Sequence, residues 1–293
     1  MINVCSMCGK VRKLTLEHII PQSLGSPLEK RIYCNDCNSN LGHELDAELA
    51  ERFGLYATLL KVKRKRGKNQ EIIIVDEESD LRLKFKGDRL CRLDHIVKTK
   101  KNKDGKIEEV EVVARSPNER DHIFMALARK HNFDISIVVS DEVEYPPPTN
   151  LRDLVFEGEI IYRAIAKIAY GFASWKLPTT LILSDSFESI RRYIKGRSSE
   201  KLVSANYMHT DFMTDNQRPL HKVYISFNRA SGIIVGYVAL FGVFRYTVLL
   251  SDSFNSYIEW PGIDYTFNPV TQREVPANLI FKSIRPVNPS FQI

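Results

Sequence analysis

The sequence predicts an α+β protein, with a small zinc-bound ββα unit at the N-terminus and a larger mixed α+β region with antiparallel sheet after it. Two Cys-x-x-Cys pairs near the N-terminus indicate the zinc-bound unit. A long apolar stretch predicts a buried helix, and alternating apolar residues beyond it predict antiparallel strands. We expect three parts, residues 1–60, 61–145 and 146–293.

Four cysteines form the two pairs, which are Cys5/Cys8 and Cys34/Cys37. Four thiolates are the ligand set of a closed tetrahedral zinc site, and a segment of about 50 residues needs such a brace because its own core is small. The alternatives are a redox Cys-x-x-Cys and unrelated buried thiols, but two pairs at this spacing favour zinc. A closed zinc site has no open position, so any chemistry must come from other residues.

The residues between and after the pairs predict strand, strand and helix. Alternating apolar residues before Glu17 predict the first strand, and residues 31–33 predict the return strand. Residues 26–30 are expected in the connecting loop. After Asn38, apolar residues recur at helical spacing, at Leu41, Leu45, Leu49 and Phe53.

The combination of C-x-x-C, then EHIIP, then C-x-x-C-N before a helix resembles the HNH, or ββα-metal, endonuclease superfamily. It is closest to the zinc-containing EHIIP subgroup and is also similar to the endonuclease VII type. The resemblance covers about 50 of the 293 residues. It implies an enzyme that hydrolyses phosphodiester bonds in nucleic acid, DNA rather than RNA, with Mg²⁺ or Mn²⁺ as the catalytic cation.

Position by position, the resemblance implies that His18 is the general base and that Glu17 and Asn38 hold the catalytic cation. It also implies that the four cysteines hold structural zinc. An imidazole with a pKa of about 6.5 is mostly neutral near pH 7 and can accept a proton from water. Two oxygen ligands suit Mg²⁺, which keeps several waters.

Each candidate residue also has a plainer structural interpretation. His18 could be a hydrogen-bonded core residue, Asn38 could cap the helix, and Glu17 could pair with Arg12 or Arg31.

Two family features are missing. An asparagine common in the loop between the strands is absent here, and Gly42 replaces a histidine that many members carry one helical turn after Asn38. His43 follows, five residues after Asn38, and in an α-helix that spacing does not return to the same face. His43 is therefore only a candidate substrate contact.

The net charge of +6 is mild, but six of the eight residues from Lys61 to Lys68 are basic. Such a run is either a solvated loop or a track that contacts phosphates. Its position makes four of its residues candidate substrate contacts: Lys63, Arg64, Lys65 and Arg66. A second group of lysines occupies positions 98, 100, 101 and 103.

The rest of the chain predicts further elements but no second site. We expect strands at residues 71–75, 81–85 and 110–113, a helix at 117–131 and a boundary at residues 146–148. Residues 158–175 predict a buried helix in which Lys167 is either partnered, the favoured alternative, or functional. Residues 186–195 predict another helix, and residues 221–250 predict an antiparallel meander. This region contains no phosphate-binding glycine loop, no nucleophile elbow and no second metal cluster.

Composition favours a cytoplasmic protein without a membrane partner. Of the residues, 43% are hydrophobic and 27% charged, and the sequence contains neither a membrane-spanning run nor a secretory signal.

Three functions remain open. The first is an endonuclease whose C-terminal region regulates or targets it through nucleic acid, a protein partner or a small-ligand activator, in phage defence or a mobile element. The second is a non-catalytic zinc-ribbon module that binds nucleic acid or protein, and the third is an effector that is inactive outside a defence complex.

Overall fold

The computed structural model describes residues 4–63, 73–76, 81–86, 89–93, 95–114, 116–131, 156–205, 219–228, 231–254 and 262–275. The strands are β1 (Leu14–His18), β2 (Glu29–Cys34), β3 (Ile73–Asp76), β4 (Leu81–Lys86), β5 (Arg89–Arg92), β6 (Ile96–Lys101), β7 (Ile107–Val113), β8 (Val203–Ala205), β9 (His221–Asn228), β10 (Ile233–Leu240), β11 (Phe244–Ser251), β12 (Ile263–Asn268) and β13 (Arg273–Glu274). The α-helices are α1 (Asn35–Leu41), α2 (Ala47–Arg52), α3 (Gly54–Leu59), α4 (Pro117–His131), α5 (Glu159–Lys176), α6 (Thr179–Ile182) and α7 (Glu188–Ile194). Helices combined with antiparallel sheets confirm the predicted α+β class.

The chain divides into two compact units rather than three. Residues 1–69 and 154–293 form the first unit, and residues 70–153 form the second. The N-terminal segment and the C-terminal region, which the sequence suggested as separate parts, therefore share one unit, and the middle region is inserted between them in the chain. The boundary expected at residues 146–148 lies outside the described residues.

The N-terminal ββα unit forms as predicted. Strands β1 and β2 pair antiparallel from Leu14↔Cys34 to His18↔Glu29, with a bulge that shifts the register after Thr15. Strand β2 begins at Glu29, two residues before the strand predicted at residues 31–33. Its first two residues lie in the segment 26–30 that was expected to be a loop. Helix α1 begins immediately after β2, and Cys34 occupies its N-cap position. Asn38, which the sequence suggested as an alternative cap, lies inside the helix.

A π-helical turn, Gly42–Asp46, joins α1 to α2. The four apolar residues predicted to share a helix face are all buried, and each is four residues after the previous one. In an α-helix a step of four residues overshoots a full turn by about 40°, so a long series drifts around the helix. The hydrogen bond from the Ala47 N–H to the Gly42 carbonyl takes in one extra residue and offsets this drift.

A six-stranded antiparallel sheet forms most of the C-terminal region, in the order β13-β12-β9-β10-β11-β8. Strands β9, β10 and β11 are the predicted meander and pair with their neighbours along their full lengths. No helix in the described part of the chain combines the length and apolar composition needed to cross a membrane.

Helix α5 lies between this sheet and the N-terminal hairpin. On one side, a Cβ added to Gly236 of β10 would lie 2.8 Å from the Cβ of Ala169, so the helix and sheet approach closely at this glycine. On the other side, Gly171 faces the side chains of Tyr33 and Ile32 in β2. The predicted buried helix is confirmed, and one hydrophobic core joins the hairpin to the sheet.

The second unit contains the sheet β3-β4-β5, the hairpin β6-β7 and helix α4. Gly105 adopts a φ of +79° in the hairpin turn, and Ser116 Oγ accepts the Glu119 N–H at the start of α4. Lys98 pairs across the hairpin with Glu111 at 3.2 Å, which favours a solvated surface over a phosphate track for the second group of lysines.

Candidate functional site: a zinc-type thiol cluster beside a histidine hairpin

The four paired cysteines converge on one point. Their sulfur atoms all lie within 4.8 Å of one another, and Cys8 Sγ and Cys34 Sγ are 3.9 Å apart. Sulfurs held at about 2.3 Å around one zinc ion are separated by about 3.8 Å. The cluster therefore lies close enough to hold one metal ion, and its geometry fits zinc.

The surroundings of Cys5 also favour a thiolate. Its Sγ is buried and accepts the backbone N–H of Cys34 at 3.2 Å. The hydrogen bond with Cys37 lowers the pKa of Cys5 to about 4, against burial, and backbone N–H groups add to the lowering. The same contact and burial raise the pKa of Cys37, so Cys5 is the thiol of this pair that loses its proton first.

His18 lies at the loop end of the hairpin, opposite Glu29. Its Nε2 is 2.8 Å from Glu29 Oε1, and both side chains are about one quarter exposed. The two side chains form an ion pair when the imidazole is protonated. Glu29 was not predicted as a site residue.

Asn38 fastens α1 to the first strand. Its Nδ2 donates to Thr15 Oγ1 at 3.0 Å and to the Leu16 carbonyl at 2.9 Å. These two bonds use both amide hydrogens, so the atom left to act as a ligand is Oδ1. Asn38 therefore holds the strand that carries His18 two residues later.

Glu17 is buried and forms an ion pair with a residue distant in the sequence. Its Oε1 is 2.5 Å from Nζ of Lys167, which also bonds both carboxylate oxygens of Asp46 at 2.7 and 2.8 Å. Burial lowers the pKa of Lys167, but the two carboxylates outweigh burial and raise it overall. Lys167 is thus partnered, as predicted, although by residues that the sequence did not identify.

Burial also affects the protonation of Glu17 itself. Desolvation raises the pKa of its carboxyl to about 7, with Lys167 opposing the shift and Asp46 adding to it.

The two arginines considered as alternative partners of Glu17 bind elsewhere. Arg12 contacts Asp36, and Arg31 donates to the Leu14 carbonyl.

Consecutive residues of a strand point to opposite faces, and Glu17 and His18 follow this rule. Glu17 faces α5 with 4% of its surface exposed, whereas His18 stands on the more open face with Glu29. The structure thus brings His18 and Glu29 together and ties Asn38 to the same strand, but it turns Glu17 toward Lys167. The cation-ligand role expected for Glu17 stays a prediction, and its ion pair favours a structural role.

Within the described residues, the four cysteines are the single group of three or more His, Cys, Asp or Glu side chains placed to share a metal ion. The Glu17 carboxylate is paired with an ammonium group, and the ligand set of Glu17 and Asn38 stays a prediction.

The remaining candidate contacts are exposed or lie outside the described residues. His43 is exposed and lies in the π-helical turn. Regular α-helical spacing would place His43 and Asn38 on different faces, and this turn interrupts that spacing. Lys63 is exposed at the end of the first described segment. Arg64, Lys65 and Arg66 lie outside the described residues, and the substrate contacts expected there stay predictions.

The π-helical turn also binds α5 through a second ion pair. Arg163, one helical turn before Lys167, is 2.6 Å from Glu44 through Nη1 and 3.1 Å through Nη2. Its Nε and Nη2 also donate to the Ile194 carbonyl. Two cations of α5 therefore fix the helix that follows the second cysteine pair.

A comparison with protein families identifies the N-terminal segment. Residues 5–54 match the family model of the HNH endonuclease, and this range contains the thiol cluster, the hairpin and the helix after it. No match to the chain was found among curated proteins or among solved structures. Nucleic acid is the substrate that this family implies. The segment from residue 5 to residue 54 belongs to the HNH endonuclease family.

Proposed function

We propose that the protein is a metal-dependent endonuclease that hydrolyses phosphodiester bonds in nucleic acid, DNA rather than RNA, with His18 as general base. The observation that carries this proposal is the imidazole of His18, held by Glu29 at 2.8 Å on the more open face of a hairpin in a matched HNH segment. Asn38 ties the strand that carries His18 to α1 through the Leu16 carbonyl.

His18 acts as the base through its imidazole, which lies 2.8 Å from Glu29 Oε1. A neutral imidazole nitrogen takes a proton from a water molecule as the water oxygen bonds to phosphorus and the bond to the leaving oxygen breaks. Glu29 stabilises the resulting imidazolium, as a carboxylate does beside other catalytic histidines.

A divalent cation such as Mg²⁺ or Mn²⁺, when bound, neutralises charge that develops on the phosphate and on the leaving oxygen. Asn38 Oδ1 is the atom of the predicted ligand set that remains available for it. Glu17 does not fit that set while it pairs with Lys167. The proton transfer assigned to His18 does not depend on Glu17.

Plasmid cleavage tests the proposal. Supercoiled plasmid is incubated with Mg²⁺ or Mn²⁺ and with the wild type, His18→Ala or the matched control His131→Ala, which changes an exposed histidine of the second unit. We expect nicked or linear plasmid from the wild type and the control but not from His18→Ala, with bound zinc near one per chain in all three. Equal cleavage by His18→Ala would reject the proposed base.

The same assay separates the other functions. A zinc-ribbon binding module would bind nucleic acid without cutting it, and an effector of a defence complex would cut only with its partner or activator. The proposals that the C-terminal region regulates or targets the nuclease through a protein partner or small ligand, and that it serves phage defence or a mobile element, rest on sequence alone. The ion pairs from α5 to Glu17 and Glu44 provide a physical connection for such regulation.

A further inference from the structure

Two lysines share one indole ring at the end of α5. Lys176 Nζ lies 3.6 Å from the ring centroid of Trp175, and Lys30 Nζ lies 4.2 Å from the same centroid. Both distances are within the range of cation–π attraction. The two amines are therefore closer together than roughly 8 Å, the Debye length at physiological salt, and they repel each other with little screening.

Neither amine is offset by a close carboxylate. Within the described part of the chain, no Asp or Glu oxygen lies within 4.0 Å of Lys30 or Lys176. Asp264 and Glu274 act on Lys176 only from a greater distance, and burial followed by the charge of Lys30 lowers its pKa overall. An anion between the amines would remove this repulsion.

The cluster is attached to both elements that build the candidate site. Lys30 directly follows Glu29 in β2 and pairs across the hairpin with Glu17. Trp175 and Lys176 end α5, the helix whose Lys167 binds Glu17. Since Lys30 and Glu29 point to opposite faces of the strand, the cluster lies on the face of the hairpin opposite His18.

The ring favours a backbone contact over base stacking. An amine over the indole occupies the position that a stacked base would need, and the ring also meets Phe172 and Tyr265 at 5.8 and 6.3 Å between centroids. Lysine ammonium groups bind phosphate oxygens as point charges without reading sequence.

We propose that Lys30, Trp175 and Lys176 form a phosphate clamp that binds the nucleic-acid backbone at a distance from the scissile bond, on the face of the hairpin opposite His18. This inference rests on the proposed nuclease function and names residues that would position its substrate. The indole brings both amines close to one ring, and one backbone phosphate, or two neighbouring ones, neutralises them.

Salt-dependent binding tests the clamp in the full chain. Anisotropy of a labelled DNA duplex is measured over a series of KCl concentrations with His18→Ala protein, which prevents cutting. The double variant K30Q/K176Q is compared with K106Q/K201Q, which removes the same charge from two exposed lysines. We expect K30Q/K176Q to weaken binding by roughly tenfold at low salt and to reduce the slope of log K against log[KCl] by about two, with the control unchanged.

Tryptophan emission gives a second measurement. The chain has two tryptophans, so Trp260→Phe leaves Trp175 as the sole reporter. Duplex binding should change its emission, salt should reverse the change, and K30Q/K176Q should abolish it.

The outcomes separate the clamp from the nuclease. A wild type that cuts plasmid while K30Q/K176Q keeps the slope of the control would overturn the clamp and leave the nuclease standing. The reduced slope in a chain that never cuts would support the clamp and reject the nuclease. Absence of duplex binding, or tighter binding of an oligoglutamate peptide through the two lysines, would overturn the clamp.

Discussion

Lys167 in α5 binds Glu17, the residue immediately before His18, at 2.5 Å. The strand that presents the imidazole is thus fixed by a helix more than a hundred residues further along the chain. Both partners are buried, at 2% and 4% exposure, and Asp46 completes the group. Breaking one member of such a group leaves charge buried without compensation, so its energetic role can be measured by mutation.

We expect Lys167→Met to destabilise the first unit by about 3 kcal/mol, because Glu17 and Asp46 lose their shared cation. Adding Glu17→Gln should recover part of the loss, since the double variant buries one fewer carboxylate. Urea unfolding followed by circular dichroism measures both, with Lys201→Met as the exposed control.

Glu17→Gln alone tests the cation-ligand role. If the role of Glu17 is structural, the variant should still cleave plasmid at temperatures at which it stays folded. A folded Glu17→Gln protein without cleavage would instead restore Glu17 as a ligand.

Glu29→Gln should slow plasmid cleavage by roughly tenfold to a hundredfold without loss of fold, because a neutral amide holds and stabilises the imidazolium less well. His18→Ala should lose more, since general-base catalysis contributes about a hundredfold or more. Initial rates of nicking at saturating plasmid measure the effect. Cleavage by Glu29→Gln at the wild-type rate would show that Glu29 is not a positioning residue.

Cys37→Ser should lose the bound metal and lower the melting temperature of the whole first unit, because the thiol cluster and the sheet belong to one hydrophobic core. Metal content by mass spectrometry and thermal unfolding measure the two effects. Cys91→Ser, which changes the cysteine outside the two pairs, is the control. A Cys37→Ser protein with full metal content would contradict the four-sulfur site.

His221 predicts a pH dependence of stability. It is fully buried, its Nε2 donates to the Leu24 carbonyl at 3.0 Å, and its Nδ1 accepts the Phe241 N–H at 3.3 Å, so the ring is neutral. Burial lowers its pKa to about 3, although hydrogen bonds to the backbone oppose the shift.

Between pH 6.5 and 3 the unfolded chain binds a proton at His221 that the folded chain does not. The free energy of unfolding should therefore fall as the pH is lowered through this window, by up to about 1.4 kcal/mol per pH unit from this residue. His221→Gln should show a shallower fall between pH 6.5 and 5 in urea titrations. The same slope in both proteins would refute the assignment.

Local patterns in the sequence predicted the metal-binding unit and most elements. The spacing of the cysteines predicted their convergence, and the helix predicted at residues 117–131 matches α4. These features depend on neighbours a few residues apart, where spacing determines geometry.

The partner of His18 could not be predicted in the same way. With a regular register from Leu14↔Cys34, the residue opposite His18 would be Lys30. The bulge after Thr15 shifts the register by one residue, so that His18 lies opposite Glu29. An acidic residue at the start of the return strand was the available signal, but it was assigned to the loop. Lys167 was expected to need a partner, yet its partner is set by tertiary packing that no local pattern encodes.

The insertion of residues 70–153 into the first unit affects how the chain matures during synthesis. The hairpin with His18 leaves the ribosome long before α5 does, since synthesis proceeds from the N-terminus. Until α5 emerges, Glu17 has no ammonium group to bind, and Tyr33 lacks the helix that covers it. A nascent or prematurely terminated chain therefore carries His18 on a strand that α5 does not yet support, and the hairpin reaches its final form only after translation has passed residue 176.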